Sequence, residues 1–275
     1  MKYTITLFLL LTSLFGFSQK KLDKLARKAT EEGMYLYKLE MTAWHGTDIV
    51  LAKYEGVRKI LGGYFAYGTQ SGSRCVFYDR SETPKVIATV DFDSTLTVKS
   101  AQSKEVKRSF TNKENALYAL RNRTYEAVRK DTIFKFYKNT SLNIIPIVRK
   151  KERKVYILTA PKKTGVMIIG NDYLLSFNKR NKLKKIKKLH KSMLVFETDG
   201  TRETMHSHLP EYDQIMTPTD ICTLMLYGKY TKWKQHIVAS HKYTSFWNIE
   251  KNKLFVMTTK AIKKINEDQK KRKKD

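Results

Sequence analysis

Cysteine is nearly missing from this chain. Cys75 and Cys222 are its only two, in neither C-x-x-C nor zinc-ribbon spacing, which excludes a disulfide scaffold and a cysteine-built metal site and leaves two buried thiols, paired or not. Proline is scarce at 5 residues and glycine at 12 of 275, so collagenous, polyproline and low-complexity architectures are out. No run of 18 apolar residues follows the first segment, and no membrane-spanning helix is expected. Acidic side chains are outnumbered, 26 against 54 basic, for a formal charge of +28. A balance of that kind attracts phosphate. Yet only 13 of the 54 are Arg, the planar fork that reads phosphates and base edges. The lysines are scattered, with two dense runs at Lys179 to Lys191 and Lys263 to Lys274, and read as a solvated surface rather than a nucleic-acid interface. The esterase G-x-S-x-G, the zincin H-E-x-x-H, the P-loop and any repeat of about 20 to 50 residues are also absent.

What is present suffices for a core. Apolar residues make up 41% of the chain and aromatics 12%, and a chain of this length buries roughly three quarters of its unfolded surface without a staple. Met1 to Ser18 carries Lys2, the apolar run Ile5 to Leu11 and then Gly16-Phe17-Ser18. A short basic region, an apolar segment too short to span a bilayer and small residues before a cut make a secretory leader, with cleavage expected after Ser18. A periplasmic or secreted protein follows. Residues 19–275 then read as one α+β domain, with possible halves 19–145 and 146–275.

Apolar spacing at Leu22, Leu25, Ala26 and Ala29 predicts a helix over 20–32 that stops at Gly33. Strand-like runs follow at Met34 to Met41, Asp48 to Lys53, Gly63 to Gly68, Cys75 to Asp79 and Lys85 to Phe92. Thr111 and Glu114 form a capping-box pair that starts a helix running to Lys130. A turn at Pro146 opens the second half, with strands at Val155 to Thr159, Gly165 to Ile169 and Tyr173 to Phe177. Residues 180–191 fit neither period. Leu194 to Glu197 and Arg202 to His206 read as a strand pair about Asp199-Gly200. Thr217 to Tyr227 is apolar on nearly every side and must be a buried helix. His236 to Ser240, Tyr243 to Ile249 and Leu254 to Thr258 form a closing meander before a basic helix from Lys260. With few helices and no βα alternation, the fold class is α+β with mainly antiparallel sheet.

The segment richest in chemistry is Met205-His206-Ser207-His208-Leu209-Pro210 with Thr217-Pro218-Thr219-Asp220. Residues two apart on a strand share a face, so His206 and His208 can offer both imidazoles to one ion. Asp220, at the start of the next helix, can supply a third ligand and leave a position for water. The same four residues, Thr217 to Asp220, are equally a helix start, with Thr217 at the N-cap and Asp220 as its acidic partner. His236, His241 and His190 carry no such pattern and read as ordinary surface or core histidines. Glu40, Trp44, His45 and Asp48 read as a binding loop or an Asx turn under an aromatic.

His206-x-His208, the intervening loop, Thr217-x-x-Asp220 on a buried helix and the β meander after it resemble the JAMM motif of MPN-type metallo-isopeptidases, over residues 200–260. The resemblance implies a hairpin-plus-helix site in which His206, His208 and Asp220 bind zinc, Thr217 supports it and an upstream Glu activates the water. Glu40, placed in a strand, is the first candidate for that Glu, and Glu55 the second. The expected activity is hydrolysis of amide or peptide bonds in a peptide or cell-envelope polymer, with Thr217 or Ser207 donating to the oxyanion or to a ligand. The alternative is a non-catalytic module that binds an anionic glycan, peptide or polymer through lysines and aromatics. The ending Phe-Ser-Gln and the lysine usage also resemble exported Bacteroidota proteins. Val90-Asp91-Phe92-Asp93-Ser94-Thr95 resembles the D-x-D-x-[ST] nucleophile of haloacid dehalogenases, a motif that belongs on a parallel α/β sheet.

Overall fold

The computed structural model describes residues 2–149, 152–199 and 202–272, with side chains from residue 20 onward. Met1, the leader's side chains, Lys150, Lys151, Gly200 and the last three residues of the basic tail lie outside the described residues. Helices hold 35% of the chain and strands 37%, in mainly antiparallel sheets, so the fold is α+β. The chain divides into two compact units. A central unit spans Tyr35–Glu197, and a terminal unit is made of Met1–Met34 with Thr198–Asp275.

A 52-residue helix α1 (Lys2–Lys53) opens the chain. It overturns three expectations: the helix stop at Gly33, and the strands at Met34 to Met41 and Asp48 to Lys53. Leu22, Ala26, Ala29, Gly33, Leu36, Leu39, Ala43, Gly46 and Val50 are all buried. Their steps of three and four residues continue one helical stripe straight through the glycines. The apparent alternation in Met34-Tyr35-Leu36-Tyr37 covers a single helical turn. Thr30, Thr42 and Thr47, β-branched residues that favour strands elsewhere, are accommodated by donating their hydroxyls to carbonyls four residues back.

In the central unit a one-turn helix α2 (Val57–Ile60) precedes β1 (Leu61–Gly68), β2 (Ser73–Asp79), β3 (Val86–Phe92) and β4 (Gln102–Arg108), an antiparallel meander in chain order. The helix α3 (Asn112–Lys130) starts on the expected Thr111–Glu114 capping box. Glu114 also takes a bidentate ion pair from Arg108, at 2.6 and 2.9 Å. A second antiparallel sheet contains β5 (Thr140–Arg149), β6 (Glu152–Pro161), β8 (Tyr173–Phe177) and β9 (Leu183–Lys188), while β7 (Val166–Gly170) pairs with β10 (Met193–Glu197). Pro146 is not a turn. It sits within β5 opposite Val155, on a strand at the sheet's edge, where a residue without an N–H is tolerated. The ambiguous stretch 180–191 supplies β9.

The terminal unit carries β11 (Glu203–Ser207), α4 (Pro218–Tyr227), β12 (Gln235–Ala239), β13 (Tyr243–Asn248), β14 (Lys253–Thr258) and α5 (Thr259–Arg272). The expected pairing of Leu194 to Glu197 with Arg202 to His206 does not occur. The first segment is in β10 and the second in β11, which lies parallel to β12. Parallel neighbours need a crossover rather than a tight turn, and here α4 is that crossover. The expected meander follows, β12 to β13 to β14, all antiparallel. At Gly33, α1 passes against α4 so closely that a Cβ there would stand 2.6 Å from Ile221 Cβ and 3.0 Å from the Pro218 carbonyl. Glycine is needed at this point for approach, not for a turn.

Candidate metal centre

The sequence places His206 on β11 and His208 immediately after it, and the pleat turns both to the face that packs inward. The His208 backbone N–H donates to the Ala239 carbonyl at 2.8 Å, continuing the β11–β12 pairing one step beyond the strand. On β12, His236 stands opposite Thr204, on the same inward face. The loop after His208 is tied down. Gln214 donates from its amide to the carbonyls of Leu209, Pro210 and Tyr212, and the Ser240 hydroxyl donates to the Gln214 carbonyl at 2.6 Å. The loop ends at Met216, whose N–H donates to the Ser245 hydroxyl, and delivers Thr217 to the start of α4.

Three of the expected ligands meet. His206 Nε2 and His208 Nε2 are 3.0 Å apart. Asp220 brings Oδ1 to 3.9 Å from the first and Oδ2 to 3.6 Å from the second. Donor atoms on a tetrahedral zinc are separated by about 3.3 Å when each bond is about 2.0–2.1 Å, so this triangle is close to a zinc ligand face. His206, His208 and Asp220 are among the residues whose donor atoms can hold a metal ion. All three side chains are nearly fully buried.

Capping and ligation do not compete at Asp220. Thr217 N–H and Thr217 Oγ1 both donate to Oδ2 at 2.8 Å, and the Asp220 N–H donates back to Thr217 Oγ1, completing a capping box. The carboxylate has a second oxygen, and the cap orients it toward the imidazoles. Thr217 therefore holds a ligand in place, as expected of it.

Each histidine is oriented by its other nitrogen. His208 Nδ1 lies 2.7 Å from the Asp213 carbonyl, and His206 Nδ1 lies 2.9 Å from His236 Nε2. His236 Nδ1 in turn meets Thr204 Oγ1 at 2.8 Å. Burial brings the His236 pKa down to about 4, against the pull of Asp220, so this ring is neutral near pH 7. His236 was read as ordinary; its signal in the sequence is only its place two residues into a strand, and the parallel pairing that sets it behind His206 is a tertiary fact.

The remaining candidates lie elsewhere. Ser207 falls on the opposite, exposed face of β11. Glu40 is on helix α1, not on a strand, in the central unit. Its carboxylate accepts from Asn143 at 2.7 Å, and burial pushes its pKa up. Glu55 is exposed in the same unit, and His190 is buried there, 3.7 Å from Asp172. Trp44, His45 and Asp48 form no loop; they are turns of α1, with the His45 ring bonded to the Leu96 carbonyl. Asp91 is held by both nitrogens of Arg74 on an antiparallel sheet and Asp93 caps a turn through Thr95, so the D-x-D segment is structural. Cys75 and Cys222 are both buried thiols.

Fold and site together define an α+β protein with a buried His-His-Asp group able to hold a metal ion. Comparison with protein-family models, with curated proteins and with solved structures finds no match.

Proposed function

We propose that the terminal unit holds one zinc ion on His206 Nε2, His208 Nε2 and the Asp220 carboxylate, and that the protein is an exported hydrolase of amide bonds. The observation that carries this reading is the approach of three buried donor atoms to within 3.0–3.9 Å of one another. Two imidazoles and a carboxylate are the donor set of catalytic zinc, with a fourth position for water. A zinc-bound water has its pKa lowered toward neutrality and becomes a nucleophile for a carbonyl. This is the division of labour that the JAMM resemblance implies, with Thr217 supporting Asp220. A carboxylate must take the water's proton. Glu32 is assigned this role in place of Glu40. It belongs to the same unit as the ligands, its Oε1 is buried, and it directly precedes the glycine at which α1 meets the first turn of α4.

Metal analysis of the purified chain tests the proposal. About one zinc per chain is expected, lost in His208→Ala and kept in Lys187→Ala. Glu32→Gln should keep the zinc and lose hydrolysis of amide reporter peptides. A zinc-free wild-type protein that takes up no added zinc would overturn the reading.

The outer face of the terminal sheet favours a second role, as a docking surface for an anionic polymer. Met205, Ile237, Phe246 and Phe255 stand in one cross-strand row. Beside them a groove of about 420 Å³ is lined by Phe246, Phe255 and Met257 with Lys251 and Lys253 and no acidic side chain. Such a surface holds an acidic peptide or glycan by apolar contact under a cationic rim.

A further inference from the structure

The rings of His236, His206 and His208 form an unbroken chain of hydrogen bonds between Thr204 and the Asp213 carbonyl, and its polarity can be read from one end. A carbonyl oxygen only accepts, so His208 Nδ1 carries a proton and its Nε2 presents a lone pair. Across 3.0 Å, His206 Nε2 must then be the donor. That leaves the neutral His206 with a lone pair at Nδ1, which accepts from His236 Nε2–H, and leaves His236 Nδ1 to accept from the Thr204 hydroxyl. In this arrangement only one of the two Nε2 atoms that face the metal position is ready to ligate.

We propose that His236 and Thr204 are positioning residues that let His206 exchange its tautomer as zinc binds; this rests on the zinc reading above. For His206 Nε2 to ligate, its proton leaves to solvent as the ion arrives. The Nδ1–H bond of His206 forms with the proton from His236 Nε2. The Nδ1–H bond of His236 forms with the proton of Thr204, and Thr204, half-buried on a strand at the sheet's edge, regains one from solvent. One proton leaves and one enters, every ring stays neutral, and each hydrogen bond is kept with its direction reversed. Thr204 can terminate the chain in both states because a hydroxyl both donates and accepts. His208 needs no exchange, since the Asp213 carbonyl holds its ligating tautomer already.

Nitrogen-15 NMR of the imidazoles, recorded on the full mature chain before and after one equivalent of zinc sulfate, reads this directly. Without zinc, His206 and His236 should carry the proton on Nε2 and His208 on Nδ1. With zinc, His206 and His236 should both change to Nδ1–H and His208 should not. Zinc binding with His236 still Nε2–H would overturn the relay and leave the zinc reading standing. An absence of zinc uptake would overturn both. A second readout is affinity. His236→Phe, which gives His206 no partner, should weaken zinc binding about 10- to 100-fold, whereas His236→Gln, whose amide oxygen can still accept from His206 Nδ1, should restore most of it. Equal losses in the two variants would reduce His236 to packing and overturn the proposal.

Discussion

Replacing Gly33 with alanine tests the helix crossing that places α4, and through it Asp220. The new Cβ would lie 2.6 Å from both Cβ and Cγ2 of Ile221, against about 3.5–4.0 Å for relaxed carbon contacts, so the two helices must separate locally by about 1 Å. Overpacking of this kind costs about 1–3 kcal/mol. The exchange of Gly for Ala inside a helix returns about 1 kcal/mol. The net expectation is a loss of about 1–2 kcal/mol, read as a lower urea midpoint at unchanged slope. Asparagine discriminates the alternatives. At a left-handed helix end it would be tolerated better than alanine; at a crossing, its larger side chain should cost more. A second effect should accompany the loss, because a displaced α4 moves the Asp220 carboxylate from the two imidazoles, and zinc affinity should fall as well. An alanine variant as stable as wild type, or an asparagine variant more stable than the alanine one, would show that α1 does not pass α4 in this way.

Two carboxylates should give opposite pH signatures. Burial raises the Glu114 pKa, but hydrogen bonds from Arg108, the Thr111 N–H and Tyr67 outweigh it, so the folded pKa lies below the unfolded one. Its contribution is complete above the unfolded pKa and lost as pH falls through the folded value. Glu114→Gln should therefore flatten the acid limb of the stability curve and cost about 1–3 kcal/mol at pH 7. At Glu40 burial raises the pKa despite the Asn143 bond. The structure then loses stability as pH climbs from the unfolded toward the folded pKa, and Glu40→Gln should remove that slope in urea titrations at stepped pH. Retention on immobilised polyglutamate should fall steeply with salt and drop further in Lys251→Gln/Lys253→Gln; retention that survives about 1 M salt would refute the cationic rim. Amino-terminal sequencing of protein recovered outside the cytoplasm should begin at Gln19, and an intact Met1 would refute the leader.

The division between local and tertiary information is visible residue by residue. Thr111 with Glu114, and Thr217-Pro218 with Asp220, announce two helix starts, because a capping box is a contact between residues three apart and needs nothing from the rest of the chain. The alternation in β12 to β14 and the His-x-His spacing are local in the same sense, and they were enough to select His206, His208 and Asp220. Local pattern failed where one window fits two periods. Met34 to Met41 alternates over a few residues, and only the longer stripe from Leu22 to Val50 reveals the helix. It failed again where partners are distant. That β11 joins β12 rather than β10, that Pro146 sits on a sheet edge, and that His236 stands behind His206 all depend on which strands pair, a choice made by burying whole faces and not by any short segment. The sequence by itself determined the ligand chemistry, because a side chain's donor atoms travel with the residue. Tertiary structure decided their company: which nitrogen each imidazole turns to the metal position, and which neighbour holds the other.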